Sequence, residues 1–108
     1  MKVESLRGDS MKQEILSRIF GKSLRISILE LFLNHKDEIL NMNEIARRLS
    51  KNPGSIYRAL PALVKDNFLE EIKISESRSA YRLNLNNPIV QELLEFYEKI
   101  RVVFTSNQ

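Results

Sequence analysis

Basic side chains without acidic neighbours are the strongest chemical feature of this 108-residue sequence. Residues 45–65 contain five basic residues and no acidic one, although the overall frequency of Asp and Glu predicts about three there. Guanidinium and ammonium groups neutralise phosphates, and an arginine can donate two hydrogen bonds to guanine O6 and N7. The stretch therefore favours a nucleic-acid partner over an ordinary solvated face, which usually carries both signs of charge. The five residues are Arg47, Arg48, Lys51, Arg58 and Lys65.

Side chains suited to catalysis or metal binding are scarce. The sequence has no cysteine, which excludes disulfides, thiolate metal sites and cysteine nucleophiles. Its single histidine, His35, cannot form a metal site without several convergent carboxylates. The adjacent acids Asp37 and Glu38 belong to the motif HKDE at a predicted helix end, where solvated charges are common. We therefore predict no catalytic residue, no metal and no cofactor, and a protein that is not an enzyme.

Composition and charge are those of one folded domain. Apolar residues make up 43% of the chain and charged residues 29%, and the net charge of +3 is mildly basic. This balance permits a nucleic-acid partner without requiring one. No apolar run is long enough to cross a membrane, and residues 1–10 lack the apolar centre of a signal peptide. We expect a cytoplasmic protein.

Apolar spacing and polar caps define the elements that must position the basic residues. Ser23 and Asn43 are the predicted N-caps of the second and third helices, and the pairs Asn52-Pro53 and Asn87-Pro88 combine a cap with a proline at the first helical position. A flexible tail over residues 1–10 precedes a single domain over 11–108. The predicted elements are helices over 11–20, 24–34, 44–49, 53–66 and 88–106, a short strand within 39–42, and two hairpin strands over 68–74 and 79–85. The fold class is mainly α with a small β-hairpin.

The fourth predicted helix, 53–66, has two different sides. Its apolar residues cluster on one side of a helical wheel, whereas Arg58 and Lys65 lie almost opposite. Small residues beside them allow a close approach to base edges. Tyr57 lies between the sides, so it could stack on bases or be half-buried. Pro61 predicts a kink, either tolerated on the exposed side or following a groove.

The segment NEIARRLSKNPGSIYRALPALVKDNFLEEIKISESRSAYRLNLNNP resembles the winged helix-turn-helix family, and the resemblance covers about residues 23–88. It is carried by a helix with IARRL, a turn, SIYRAL, the exit LVKDNFLEE and the closing YRLN. The resemblance implies a DNA-binding transcriptional regulator whose helix 53–66 enters the major groove. It also implies that the wing, 68–85, touches the backbone or minor groove. The predicted DNA-binding residues are Arg47, Lys51, Asn52, Gly54, Ser55, Tyr57, Arg58, Ala62, Lys65, Ser77 and Arg78.

The predicted wing is less basic than the helix. Arg78 lies at its tip, and the Ser77 hydroxyl can donate to a phosphate. Glu70, Glu71 and Glu76 dilute this positive charge. We expect Arg78 to contribute to binding and the stem of the wing to be mostly structural.

The two terminal helices, 11–20 and 88–106, carry more apolar surface than a small winged-helix core can cover. This surplus predicts a partner surface, most simply a second copy of the chain. The layout is similar to that of the MarR, ArsR and PadR groups, which pair through terminal helices, and YRLNLNNPIVQEL resembles archaeal winged-helix domains. The alternative is a monomer that covers both helices itself. The predicted dimer residues are Ile15, Ile19, Leu93, Leu94, Tyr97, Ile100 and Phe104.

Two other functions remain open for this sequence. The recognition helix could dock on protein, as in assembly subunits, or the chain could coat DNA without sequence preference. Steep salt dependence of duplex binding separates the DNA functions from protein docking. Equal affinity for unrelated duplexes would indicate coating.

Overall fold

Five helices and three short strands make up residues 14–106, the part of the chain that a computed structural model describes. The predicted tail over 1–10 and the start of the predicted helix 11–20 lie outside the described residues. The elements are α1 (Ile15–Phe20), α2 (Leu24–Asn34), β1 (Leu40–Asn41), α3 (Met42–Leu49), α4 (Pro53–Lys65), β2 (Leu69–Ser75), β3 (Arg78–Leu83) and α5 (Pro88–Ser106). Their order is the order predicted from the sequence.

Polar side chains begin α2 and α4 as predicted. The Ser23 hydroxyl accepts a hydrogen bond from the Ile26 N–H at 3.1 Å. The Asn52 Oδ1 accepts from the Gly54 N–H at 2.6 Å, and Pro53 occupies the first helical position. Beyond α4, Asn67 adopts a left-handed conformation with φ 64°, which lets the chain turn into the wing.

The cap of α3 differs from the prediction. Asn41, not Asn43, is the N-cap: its Oδ1 accepts from the Glu44 N–H, and the Glu44 carboxylate accepts from the Asn41 N–H, both at 2.8 Å. Asn43 lies inside the first turn. The reciprocal bonds need a cap three residues before the glutamate, and only Asn41 has that spacing.

Loss of the Asn41 cap should destabilise the fold. We expect Asn41→Ala to lower the free energy of unfolding by about 1 kcal/mol, since it leaves the N–H of Glu44 without its side-chain acceptor. Urea denaturation followed by circular dichroism measures the difference. Asn43→Ala is the matched control and should change stability by less than about 0.5 kcal/mol. Equal losses in the two variants would contradict the cap assignment.

The three strands form one antiparallel sheet in the order β1-β3-β2. Leu69 pairs with Leu83 at the base of the hairpin, and Leu40 of β1 pairs with Tyr81. The connecting turn is at residues 76–77, inside the predicted turn. Strands β2 and β3 therefore form a hairpin, the wing, that extends beyond the two-residue strand β1.

The core lies between α2, α3, α4 and the inner face of the sheet, and α5 packs over it. The predicted inward side of α4 is confirmed, because Ile56, Leu60 and Leu63 are buried. Pro61 lies on the exposed side of α4, which continues through it to Lys65. Ser50, with φ 56°, turns the chain between α3 and α4. The largest fully buried side chains are Tyr97, Phe32, Ile28, Leu40, Ile45, Ile56, Leu63, Leu69, Leu83 and Val90.

A buried carboxylate joins α1, α2 and α5. Glu30 accepts hydrogen bonds from the Ile15 and Leu16 N–H groups at 2.8 and 3.0 Å and from the Tyr97 hydroxyl at 2.6 Å. The Asn34 side chain donates to the same hydroxyl at 2.8 Å. Ile15 and Tyr97, predicted as dimer residues, are only 2% and 0% exposed. Within this chain both contact the core, and Glu30 accepts hydrogen bonds from the Ile15 N–H and the Tyr97 hydroxyl, so their contact with a second copy stays a prediction.

Candidate nucleic-acid interface

The outer side of α4 presents cationic and aromatic groups to solvent. Tyr57 is 67% exposed, so it lies on this surface and not at the edge of the core. Arg58 and Lys65 are also exposed. The Arg58 Nη1 atom would lie 3.6 Å from a methyl group placed on Gly54, so the guanidinium folds back over the first turn of α4. The partial positive charge of the helix N-terminus adds to that of the guanidinium there.

Glycine at position 54 keeps this first turn uncrowded. A Cβ atom there would lie 3.0 Å from the Asn52 Oδ1 atom that caps the helix. Because the cap would have to shift, the absence of a side chain at residue 54 preserves both the cap and the space beside Arg58. Ser55 and Ala62 are half-buried along the same helix. The long exposed side chains on the outer side of α4 are Tyr57, Arg58 and Lys65, and small residues lie beside them.

Most cations of the predicted interface have no acidic partner within the described residues. The ion pairs found there use other cations, including Arg25 with Asp66 at 2.6 Å and Arg82 with Glu70 at 2.7 Å. Among residues 14–106, Arg48 is the one member of the acid-free stretch with an acidic partner, Glu38 at 2.9 Å. The cations with no acidic partner in the described part of the chain are Arg47, Lys51, Arg58, Lys65 and Arg78. Their charge is available to an anionic ligand.

The HKDE motif forms a surface ion-pair cluster. The two oxygens of Glu38 bind separate partners, His35 Nδ1 at 3.0 Å and Arg48 Nη2 at 2.9 Å. Partial burial opposes ionisation of Glu38, but the neighbouring Arg48 and His35 hold its pKa below the ordinary range. The cluster ties the end of α2 to α3. Across residues 14–106, no three histidine or acidic side chains are grouped closely enough to hold a metal ion.

The stem of the wing is cross-linked by its own side chains. Glu70 pairs with Arg82 across the two strands, and Glu71 accepts from the Ser79 hydroxyl at 2.6 Å. Ser77 and Arg78 are exposed at the tip. Two of the three acidic residues of the wing are thus occupied within it, whereas Arg78 has no ion pair with any acidic residue of the range 14–106.

All eleven predicted DNA-binding residues lie at the surface or are half-buried, and none is part of the core. The sequence did not indicate the Arg25–Asp66 ion pair, which fixes the end of α4 beside Lys65 to the start of α2. Its partners are 41 residues apart, and no local spacing relates them. The packing of α2 against α4 brings Arg25 and Asp66 together.

The arrangement of α3, turn, α4 and wing defines a class of protein, the winged helix-turn-helix proteins. No known protein family and no curated protein matches the sequence. Solved structures do match in fold. HlyU from Vibrio cholerae is 20% identical with a TM-score of 0.58, over 90% of this chain and 96% of that one. MepR, a transcription regulator of the multidrug efflux pump MepA from Staphylococcus aureus, is 14% identical with a TM-score of 0.57, over 100% and 79%.

A third similar structure is the ferric uptake regulator from Francisella tularensis with iron, at 22% identity and a TM-score of 0.53. The match covers 63% of this chain, which spans only 58% of that regulator. These likenesses establish the fold: the chain is a winged helix-turn-helix protein, mostly helical with a three-stranded antiparallel sheet, as predicted. No helix within residues 14–106 is both long and apolar enough to span a membrane.

Proposed function

We propose that this protein is a DNA-binding transcriptional regulator. The observation that carries the proposal is the outer side of α4, whose exposed cations have no acidic partner among the described residues. Exposed, unpaired cations on the second helix of a helix-turn-helix suit a polyanion with a groove. The structural neighbours described as transcription regulators support the same function.

In the proposed complex α4 lies in the major groove. Arg58 donates to base edges, and Lys65 and Lys51 neutralise phosphates. Arg78 at the wing tip meets the backbone or minor groove. The protein acts in the cytoplasm as a homodimer, with no metal or cofactor. Two α4 helices would then lie about 34 Å apart, one turn of DNA, and read a palindromic site.

Salt dependence of duplex binding tests the proposal. We expect the protein to bind random-sequence duplex in fluorescence anisotropy at about 50 mM salt and to lose affinity steeply by about 200 mM, because counterions are released from the phosphates. Lys65→Ala should lower the slope of log affinity against log salt by about one. Lys36→Ala is the matched control, since Lys36 pairs with Glu98 and lies outside α4.

The outcomes separate the possible functions. No binding at low salt would overturn the DNA proposal and leave α4 as a protein-docking surface. Equal affinity for every duplex, after selection from random sequences, would make the chain a DNA-coating protein. Enrichment of one palindromic sequence is the result expected of a regulator.

A further inference from the structure

Three asparagines meet at the base of the wing, where α4 ends and α5 begins. The Asn67 carbonyl accepts two hydrogen bonds, from the side-chain amides of Asn84 and Asn87, both at 2.9 Å. A carbonyl oxygen has two lone pairs, so these two donors satisfy it fully. The donors lie 17 and 20 residues after their acceptor, and the closure of the wing brings them to it. We name this group the asparagine clamp; it consists of Asn67, Asn84 and Asn87.

The acceptor of the asparagine clamp is fixed to the end of α4. Asn67 has φ 64°, and its N–H donates to the Val64 carbonyl at 2.9 Å. The Phe68 N–H donates to the Leu63 carbonyl at 3.0 Å. These two bonds are the Schellman arrangement that ends many helices. The last turn of α4 therefore sets the position of the Asn67 carbonyl, and whatever binds this carbonyl is held to that helix.

The two donors are held on the other side of the base. The Asn84 N–H donates to the Phe68 carbonyl at 3.0 Å, one step beyond the last residue pair of the wing, and its Oδ1 accepts from the Asn86 N–H at 3.2 Å. The Asn87 Oδ1 accepts from the Ile89 N–H at 2.8 Å and so caps α5. Each side chain thus accepts with its oxygen and donates with its nitrogen. A carboxylate could only accept, so the asparagine clamp depends on the amide group at both positions.

The outer half of the wing has little support from the rest of the domain. Residues 73–78 are all exposed. The Glu70–Arg82 ion pair joins the two strands of the stem to each other and not to the domain. Two attachments then define the direction of the wing: β1, which pairs with Ala80 and Tyr81, and the asparagine clamp at the end of β3.

Small rotations at the base are amplified at the wing tip. Strand β2 runs for six steps from Leu69 to Ser75, about 20 Å at the usual rise of a strand. A rotation of about 10° at the base would displace the tip by about 3.5 Å, more than the length of a hydrogen bond. Contact of Arg78 with a duplex that also holds α4 therefore requires a defined angle between the wing and α4.

We propose that Asn84 and Asn87 are positioning residues for DNA binding. Through the Asn67 carbonyl they set the angle between α4 and the wing, so that Arg78 reaches the backbone or minor groove of the duplex in which α4 lies. The inference rests on the proposed function and deepens it. It assigns the joint contact of helix and wing to amides at the base, about 20 Å from Arg78 along β3.

Aspartate variants remove the asparagine clamp and keep the other bonds of these side chains. Asn87→Asp retains the oxygen that caps α5, and Asn84→Asp retains the oxygen that accepts from the Asn86 N–H. Neither carboxylate can donate to the Asn67 carbonyl, and the negative charge repels that oxygen. Asn86→Asp is the matched control, because it adds the same charge at an exposed side chain outside the asparagine clamp. Circular dichroism should show that all three variants are folded.

A double-mutant cycle with Arg78 tests positioning on DNA. In anisotropy titrations at about 50 mM salt, Arg78→Ala should lower the affinity of the otherwise wild-type chain about fivefold, because one phosphate contact is lost. In the Asn84→Asp or Asn87→Asp background the same substitution should cost less than about twofold, since the tip no longer meets the duplex. The Asn86→Asp background should show the full loss. Distant sites without shared partners act additively, so an additive cycle would overturn the inference.

A distance measurement tests the angle of the wing without DNA. The chain has no cysteine, so spin labels on Glu76→Cys at the wing tip and Asp37→Cys on the domain are the only labels. Labelled chains are diluted with unlabelled wild type, so that distances within one chain dominate. Double electron–electron resonance should give one narrow distance for the labelled wild type and for Asn86→Asp. Asn84→Asp and Asn87→Asp should give a broader or shifted distance, and an unchanged one would overturn the inference.

The measurements distinguish failure of the asparagine clamp from failure of the proposed function. A wild-type chain that binds no duplex would overturn DNA binding and, with it, the role of the asparagine clamp. A wild-type chain that binds, with an Arg78→Ala variant of equal affinity, would overturn the asparagine clamp alone and leave α4 as the DNA-binding element.

Discussion

Among substitutions of polar residues in the described part of this protein, Glu30→Ala is expected to cause the largest loss of stability. It removes the acceptor of three buried donors: the Ile15 and Leu16 N–H groups and the Tyr97 hydroxyl. Leaving buried donors unsatisfied costs about 1–3 kcal/mol each, so we expect a loss of at least about 3 kcal/mol. The thermal midpoint should fall by more than about 10 °C. Differential scanning calorimetry measures both quantities.

Two companion variants separate the network from general damage. Tyr97→Phe removes one donor and should cost less than Glu30→Ala. Tyr81→Phe is its matched control, because no hydrogen bond of Tyr81 takes part in the network, and it should change stability little. If Glu30→Ala were no less stable than Tyr81→Phe, Glu30 would not hold α1 and α5 to α2.

The same carboxylate gives a signed dependence on pH. Burial raises the pKa of Glu30, although hydrogen bonds from Tyr97, Ile15 and Leu16 oppose the shift. A raised pKa in the folded state means that the stabilising contribution of Glu30 is complete below the unfolded value and declines as pH rises through the folded one. Relative to Glu30→Gln, which does not titrate, wild type should lose stability from about pH 4 upward. Urea denaturation of both chains at several pH values measures the two free energies of unfolding. A wild-type chain that gains stability relative to Glu30→Gln as pH rises would contradict the prediction.

Arg58→Ala is expected to cause the largest loss of DNA affinity. The Arg58 guanidinium lies over the first turn of α4 with no acidic partner among the described residues, and in the proposed complex it donates two hydrogen bonds to a guanine. Loss of such a pair costs about 1–3 kcal/mol, which is about 5- to 150-fold in affinity for the selected duplex. Anisotropy titration of selected and random duplexes measures the loss. Affinity for the selected duplex should fall more than affinity for the random one.

A conservative variant shows whether Arg58 reads a base or binds a phosphate. Arg58→Lys keeps the charge but cannot make the planar pair of hydrogen bonds. At the base position that Arg58 contacts, its preference for guanine should therefore be as weak as that of Arg58→Ala. Full recovery of affinity by lysine, with the base preference of Arg58→Ala unchanged from wild type, would place Arg58 on a phosphate. Arg82→Ala is the matched control, because Arg82 is paired with Glu70 on the stem, and it should bind nearly as wild type.

Local patterns predicted the elements of the helix-turn-helix and wing because local forces define them. The caps Ser23 and Asn52 act on N–H groups two or three residues away, and the alternation around Tyr81 follows the pleat of one strand. The wrong prediction of Asn43 as the N-cap of α3 also concerned local spacing. The spacing from Asn41 to Glu44 is that of a capping box, so the sequence did contain the correct signal.

The interface on α4 was predictable in part. Its periodicity separates the buried Ile56 from the outward Arg58, and the structure confirms this separation. Whether Tyr57 is buried depends on how far the neighbouring elements extend over the edge of α4. That extent is a property of packing, and the structure leaves Tyr57 exposed.

The sequence alone determined the order of the elements, the two sides of α4 and the excess of apolar surface on α5. Only the tertiary structure decided which stripe of α5 the domain covers. Apolar residues occupy more than one side of that helix, so their spacing cannot say which side meets the core. The buried stripe contains Val90 and Tyr97, and the Tyr97 hydroxyl donates a hydrogen bond to Glu30, which lies 67 residues earlier in the chain.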